Sequence, residues 1–239
     1  MPIDSVSPFG AVALIADWAT QRASRVVCIC NVHSIVTAGQ DPEFRAAIAR
    51  ADLATPDGAP IAWMMRRLGE PTQQRVSGPD LMHDYCAAAA ARGEAIYLYG
   101  STSQTLATLV ELLPKRYPGL RIAGSWSPPF RSSTPAEDSA DVERINRSGA
   151  GTVWVSLGCP KQERWMTAHR DRIQAVMIGV GAAFDFHAGT LARAPPWMRR
   201  YGLEWLHRLA SEPRRLARRY VVTNTAFIWR AAKQLVRGN

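Results

Sequence analysis

The chain has 239 residues, 47% of them hydrophobic, enough apolar content to exclude wholesale disorder and to suit one large α/β domain with a small appendage. Its net charge of +9 lies in the last fifty residues, where eleven Lys/Arg face two Asp/Glu, while the first 189 residues balance. No basic leader with a long apolar core opens the chain and no run nears about 18 apolar residues, so neither a signal peptide nor a membrane span is expected.

In chain order, residues 10–24 have helical spacing, with Val12, Ile15, Ala16 and Ala19 on one side. Val26–Cys30 reads as a buried strand ending at Asn31. Its Cys28 and Cys30 are expected on opposite faces, and all four cysteines are expected as free thiols. Asp41–Ala51 reads as a helix with Asp41 as N-cap and Pro42 at the first position. Leu53–Pro56 is a second strand, followed by Asp57-Gly58 and a helix over Ala59–Leu68. Pro79–Arg92 is helical and Ala95–Tyr99 is a strand that runs into Gly100. Ser103–Arg116 is a helix, Leu120–Gly124 a strand, and Trp126–Thr134 a loop with two prolines. A helix over Ala136–Arg147 has acidic residues near its start, as the helix dipole favours. Thr152–Leu157 is a strand leading through Gly158-Cys159-Pro160 into another helix, and Ala175–Val180 is the last clear strand.

This alternation predicts a Rossmann-like α/β fold: a mostly parallel sheet with helices on both faces and ligand-binding strand ends along one rim. The division expected is a catalytic α/β domain over 1–192 and a basic helical appendage over 193–239. Neither GxGxxG after the first strand nor a Walker lysine motif is present, so NAD(P)H and P-loop chemistry gain no support. GxSxG, HExxH and Cys/His zinc spacings are missing too.

Four groups stand at the rim. Asn31 and His33 follow the first strand; they suit contacts to a base, ribose or sugar hydroxyl, or simply cap the next turn. Asp57 suits a general base that takes the proton of an attacking hydroxyl, or an N-cap for the helix after it. Arg75 offers a forked donor to a phosphate, and Asp80 caps the next helix or holds Arg75. Gly158 to Glu163 brings a glycine turn to a helix start, where free N–H groups suit a diphosphate. Lys161 adds charge, Gln162 can contact ribose, base or sugar, and Glu163 caps or binds. Gly100 and Asp185, in the runs after two other strands, complete the candidates; Asp185 reads equally as a structural cap.

The tail carries Trp197, Tyr201, Trp205, Tyr220, Phe227 and Trp229 among its arginines. Basic and aromatic side chains together suit an anionic membrane surface or a nucleic-acid backbone. A basic surface helix with its aromatic face on the body fits equally.

Several segments together are specific: ADLATPDGAPIAW at 51–63, RVSGPDLM at 75–82, GCPKQERWM at 158–166, GVGAAFDFHAG at 179–189 and RAPPWMRRYGLEWLHRL at 193–209. In this order they resemble the WecG/TagA/CpsF family of bacterial glycosyltransferases, glycosyltransferase family 26, from about Asn31 to Phe227. The wording of GCPKQERW and NVH is similar to the branch containing GumM. The resemblance implies an inverting transferase that moves a hexose, glucose from UDP-glucose as the leading reading, to a polyprenyl-diphosphate-linked sugar in exopolysaccharide assembly. The alternative it leaves is transfer of N-acetylmannosamine, or its uronic acid, to a lipid-linked N-acetylglucosamine. It also implies no cofactor, no essential metal, and a cytoplasmic protein held peripherally at the inner face of the membrane. Carried over by residue, Asp57 is the expected base, Asn31, Arg75 and Gln162 are expected in the pocket, and Arg208, Arg215 and Arg218 are expected near the lipid diphosphate. Ile29 departs from the family's frequent threonine. Readings from another class are a nucleic-acid-binding protein or a non-catalytic scaffold, and oligomerisation through the tail is left open.

Overall fold

The computed structural model describes residues 2–237, except the side chains of Arg215 and Arg237. The body contains α1 (Pro8–Thr20), β1 (Arg25–Cys30), α2 (Val32–Ala38), α3 (Pro42–Ala49), β2 (Leu53–Pro56), α4 (Ala59–Arg67), α5 (Gly78–Arg92), β3 (Ala95–Gly100) and α6 (Ser103–Arg116). It continues with β4 (Arg121–Trp126), α7 (Pro135–Ser148), β5 (Thr152–Ser156), α8 (Lys161–Ala168), β6 (Val176–Gly179) and α9 (Ala183–Ala188). Three helices follow: α10 (Pro196–Arg200), α11 (Glu204–Ser211) and α12 (Pro213–Arg237).

All six strands are parallel, in the order β2-β1-β6-β5-β3-β4. A parallel sheet must be covered on both faces, and alternate residues of each strand supply two separate apolar layers. Val27, Ile29, Ile96, Leu98, Trp154 and Ile178 pack in one layer with residues of α1, α5 and α6. Val26, Cys28, Cys30, Tyr97, Tyr99 and Val155 pack in the other with residues of α3, α7 and α8. Cys28 and Cys30 therefore share a face, correcting the expectation of opposite faces: positions i and i+2 of a strand always point the same way. The four cysteines are free thiols.

Local signals place the elements. Ser7, Asp41, Ser77, Thr102 and Thr134 each accept a backbone N–H at a helix start, and Pro42 occupies a first-turn position. Two short helices, α2 and α9, escape the sequence reading. Asn31 starts α2 through a reciprocal capping box with Ser34, whose backbone N–H donates to Asn31 Oδ1 at 3.2 Å. Helix α12 lies mainly against α2 and α11, burying Leu216, Thr223 and Ala231. No helix among the described residues is long and apolar enough to cross a membrane.

Candidate active site

The rim site begins with strand register. Cys30 of β1 pairs with Pro56 of β2, and the Asp57 amide donates to the Cys30 carbonyl at 2.9 Å, so Asn31 and Asp57 leave the sheet side by side. Both line a cavity of about 610 Å³. Helices α11 and α12 form its other wall, through Arg208, Arg219, Tyr220 and Phe227 among others.

Asp57 is not a helix cap, because Gly58 occupies the N-cap of α4 and no side chain bonds there. Burial raises the Asp57 pKa to about 6; Arg75 pulls it down, while the like charges of Glu204 and Asp80 push it up. A base whose proton affinity lies near neutrality is suited to taking a hydroxyl proton as that hydroxyl attacks.

Arg75 also lines the cavity, but its guanidinium is engaged. Nη1 pairs with Glu204 Oε2 at 3.0 Å and Nη2 with Asp80 Oδ2 at 3.4 Å. Asp80 in turn pairs with Arg193 at 2.7 Å and Arg199 at 3.6 Å. Burial works against ionising Asp80, but hydrogen bonds from Ser77 and Arg193 and the charges of Arg193 and Arg75 outweigh it and hold its pKa down. Ser77, not Asp80, caps α5, so Asp80 is the residue that holds Arg75.

Arg208 and Arg219 are different. Among the described residues neither has an acidic partner; Arg208 lies over the Phe186 ring at 5.6 Å and Arg219 over Tyr220 at 5.5 Å. The Nε of each is buried without a hydrogen-bond acceptor. Their charge is available to an anion entering the cavity. His33 lines the same space, and burial, then the Arg219 charge, lower its pKa. Asn31 Oδ1 is committed to capping Ser34, leaving its amide N–H groups for a ligand.

The structure thus gathers Asn31, His33, Asp57, Arg75 and Arg208 around one cavity. Other expected residues stand elsewhere. Gln162 is 4% exposed; its Oε1 accepts from Gly181 N at 3.1 Å and its Nε2 donates to Glu163 Oε1 at 3.0 Å. Its amide joins α8 to the turn after β6 and does not line the cavity. Glu163 is 2% exposed, burial raises its pKa, and its Oε2 has no partner, so it is an interior acid where a cap or ligand contact was expected. Lys161 is exposed at the start of α8. Gly100, with φ of +101°, ends β3 where an added Cβ would lie 2.5 Å from the Ser156 carbonyl oxygen. These two and Asp185 of α9 lie outside the cavity lining. Arg218 is exposed and outside it as well, and the Arg215 side chain lies outside the described residues. Arg219 and Glu204 are charged cavity residues that the sequence reading did not single out; the phase of α12 and the fold of α11 reveal them.

A family model, Glycosyl transferase WecG/TagA/CpsF family, matches residues 1–239. The chain belongs to this glycosyltransferase family. It is also 32% identical over 200 residues to the N-acetylglucosaminyldiphosphoundecaprenol N-acetyl-beta-D-mannosaminyltransferase of Bacillus spizizenii, across 83% of this chain and 76% of that protein. The position two before Asn31, where the resemblance leads to an expected threonine, is Ile29 in this chain. Ile29 is packed in the core, and its register partner Thr55 is wholly buried, so neither brings a hydroxyl to the cavity.

Proposed function

We propose that this transferase moves N-acetylmannosamine from a UDP-sugar to N-acetylglucosamine carried on a polyprenyl diphosphate. The observation that carries the mechanism is Asp57, raised to about 6, in a cavity that also holds Arg208 and Arg219, neither with an acidic partner among the described residues. The activity named for the Bacillus spizizenii relative favours this donor and acceptor over glucose transfer to a lipid-linked glucose.

In this reading the acceptor hydroxyl enters beside Asp57 and attacks the anomeric carbon on the face opposite UDP. Asp57 takes the proton as the new bond forms, the bond to UDP breaks, and the anomeric centre inverts. Asn31 donates its amide N–H groups to a hydroxyl of either sugar. Arg208 and Arg219 hold diphosphate charge, and stabilising charge that grows in the transition state raises turnover. No cofactor or metal is invoked. The unit from Arg193 onward acts as an appendage that closes the catalytic body. The outer side of α12 exposes Val221, Val222 and Trp229, an arrangement that suits reversible contact with a membrane surface where a lipid acceptor resides.

The test is transfer of radiolabel by the purified full chain in detergent. UDP-N-acetylmannosamine and UDP-glucose are each offered with polyprenyl-diphosphate-linked N-acetylglucosamine and with the glucose analogue. Label entering lipid from N-acetylmannosamine onto N-acetylglucosamine is the expected result. Transfer only from glucose would restore the exopolysaccharide reading, and no transfer by folded protein would overturn both.

A further inference from the structure

The Arg75 guanidinium stands between a nearby acid of α5 and a distant one of α11. Glu204, at the first position of α11, takes Nη1 at 3.0 Å, and Asp80 takes Nη2 at 3.4 Å. Arg193 reaches Asp80 at 2.7 Å and Glu204 at 3.7 Å, so the acids are themselves anchored. Glu204, Arg75 and Asp57 all line the catalytic cavity. Without an acidic partner, Arg75 would be free to ion-pair fully with Asp57, and a carboxylate so paired is a weaker base.

We propose that Glu204 is a positioning residue for Asp57: docking of α11 occupies Arg75 and so keeps the base from being neutralised by it. Its role as an aid to the base rests on the glycosyl-transfer reading above; the charge coupling itself does not. Glu204 acts twice, as a like charge near Asp57 and as the partner of Arg75, and both effects favour the protonated form of Asp57. The other ionisable groups around the cavity are His33 of α2, Asp80 of α5, Arg208 of α11, and Arg219 and Tyr220 of α12. The appendage therefore supplies a group that tunes the body's base, in addition to closing the space around it.

The experiment is a 13C NMR titration of the Asp57 carboxyl in the full chain, assigned by loss of its signal in Asp57→Asn. The wild-type midpoint is expected near 6. Glu204→Gln, which keeps an acceptor for Arg75 but no charge, is expected to lower the midpoint by about one unit. Glu204→Asp restores most of it, which a purely structural role for the side chain would not predict. In the transfer assay the acid limb of kcat/KM is expected to move down with the NMR midpoint. An Asp57 midpoint unchanged or raised in folded Glu204→Gln overturns the proposal, as does a wild-type midpoint at the ordinary carboxylate value. If Glu204→Gln does not fold, Glu204→Ala in parallel with Arg75→Gln decides. The arginine variant must raise the midpoint and the glutamate variant must lower it; any other pair of directions overturns the coupling. A chain that transfers no sugar yet shows these shifts refutes the enzymatic reading and keeps the coupling. An active chain with unmoved midpoints does the reverse.

Discussion

Asn31 and Asp57 stand together because their strands end in step: Cys30 and Pro56 are register partners, and the Asp57 amide closes the pair on the Cys30 carbonyl at 2.9 Å. One residue then caps α2, while the other is not the N-cap of the helix that follows it. The division of labour is set by backbone pairing before any side chain meets a ligand.

Asp57→Asn is expected to cut turnover by roughly 10²–10⁴-fold while UDP-sugar affinity changes little, as loss of a general base requires. The same change has a stability signature. The folded pKa of about 6 exceeds the ordinary carboxylate value of 3.8, so the native state binds the proton more tightly than the unfolded state. Asp57 therefore favours folding below pH 4 and loses that contribution as pH rises through 6. At pH 7 Asp57→Asn should stabilise the unliganded protein, by something on the order of 2 kcal/mol after allowance for partial exposure. Urea unfolding at pH 4 and pH 7 measures the difference, which should appear only at the higher pH.

Arg219→Gln is expected to raise KM for the lipid-linked acceptor by roughly 10–100-fold, the scale of one charge-assisted contact. Arg218→Gln, on the exposed side, should have a much smaller effect. A direct readout accompanies the kinetics: Arg219 helps to lower the His33 pKa, so its removal should move the His33 NMR titration upward toward 6.5.

Gln162→Ala is expected to act on stability. It strips the half-buried Gly181 N of its shorter acceptor contact, leaving the 3.4 Å bond to the Val155 carbonyl, and strips the buried Glu163 of its donor. A loss of about 1–3 kcal/mol in urea unfolding is expected, with the acceptor KM little changed.

Gly202→Val should loosen the appendage. Gly202 has φ of +72°, a left-handed conformation costly for a β-branched residue, and an added Cβ would lie 2.5 Å from Ala59 Cβ. The expected outcome is faster proteolysis of α11 and α12 over an intact sheet domain, with transfer activity reduced. Unchanged proteolysis with full activity would count against close packing at that turn.

Much of this arrangement is legible in the sequence, and the exceptions have physical causes. Asp41-Pro42 marks the start of α3 to the residue, and buried runs mark β1, β2, β3, β5 and β6, because caps and apolar runs are local signals; β4, half-buried to exposed, starts one residue later than the expected Leu120–Gly124. Helix α2 is hidden because Asn31 reads equally as a ligand residue and as a cap, and seven residues carry too little periodicity to decide. Gln162 and Glu163 lie at the start of an eight-residue helix whose direction into the interior depends on Gly179 and Gly181, far along the chain. The positions 214, 215, 218 and 219 spread over an arc of about 140° on α12, so spacing alone cannot say which edge faces the cavity; the burial of Leu216 and Thr223 fixes the phase and brings in Arg219. Glu204 is invisible for a different reason: its partner Arg75 is 129 residues away.

Strand β6 has four residues, is the last strand in the chain, and sits in the middle of the sheet between β1 and β5. The pair β2-β1 and the trio β5-β3-β4 share no ladder until Val176–Gly179 arrives, so this short segment is the keystone of the assembly. Closing it means ordering contacts that span some 150 residues, an entropic cost met before most of the packing that rewards it. The two halves of the rim, one ending at Asn31 and Asp57 and the other at Gly100 and Ser156, acquire a fixed spacing only in that final step. Refolding of this chain should therefore be slow, with the half-sheets consolidating ahead of any competence to bind across them.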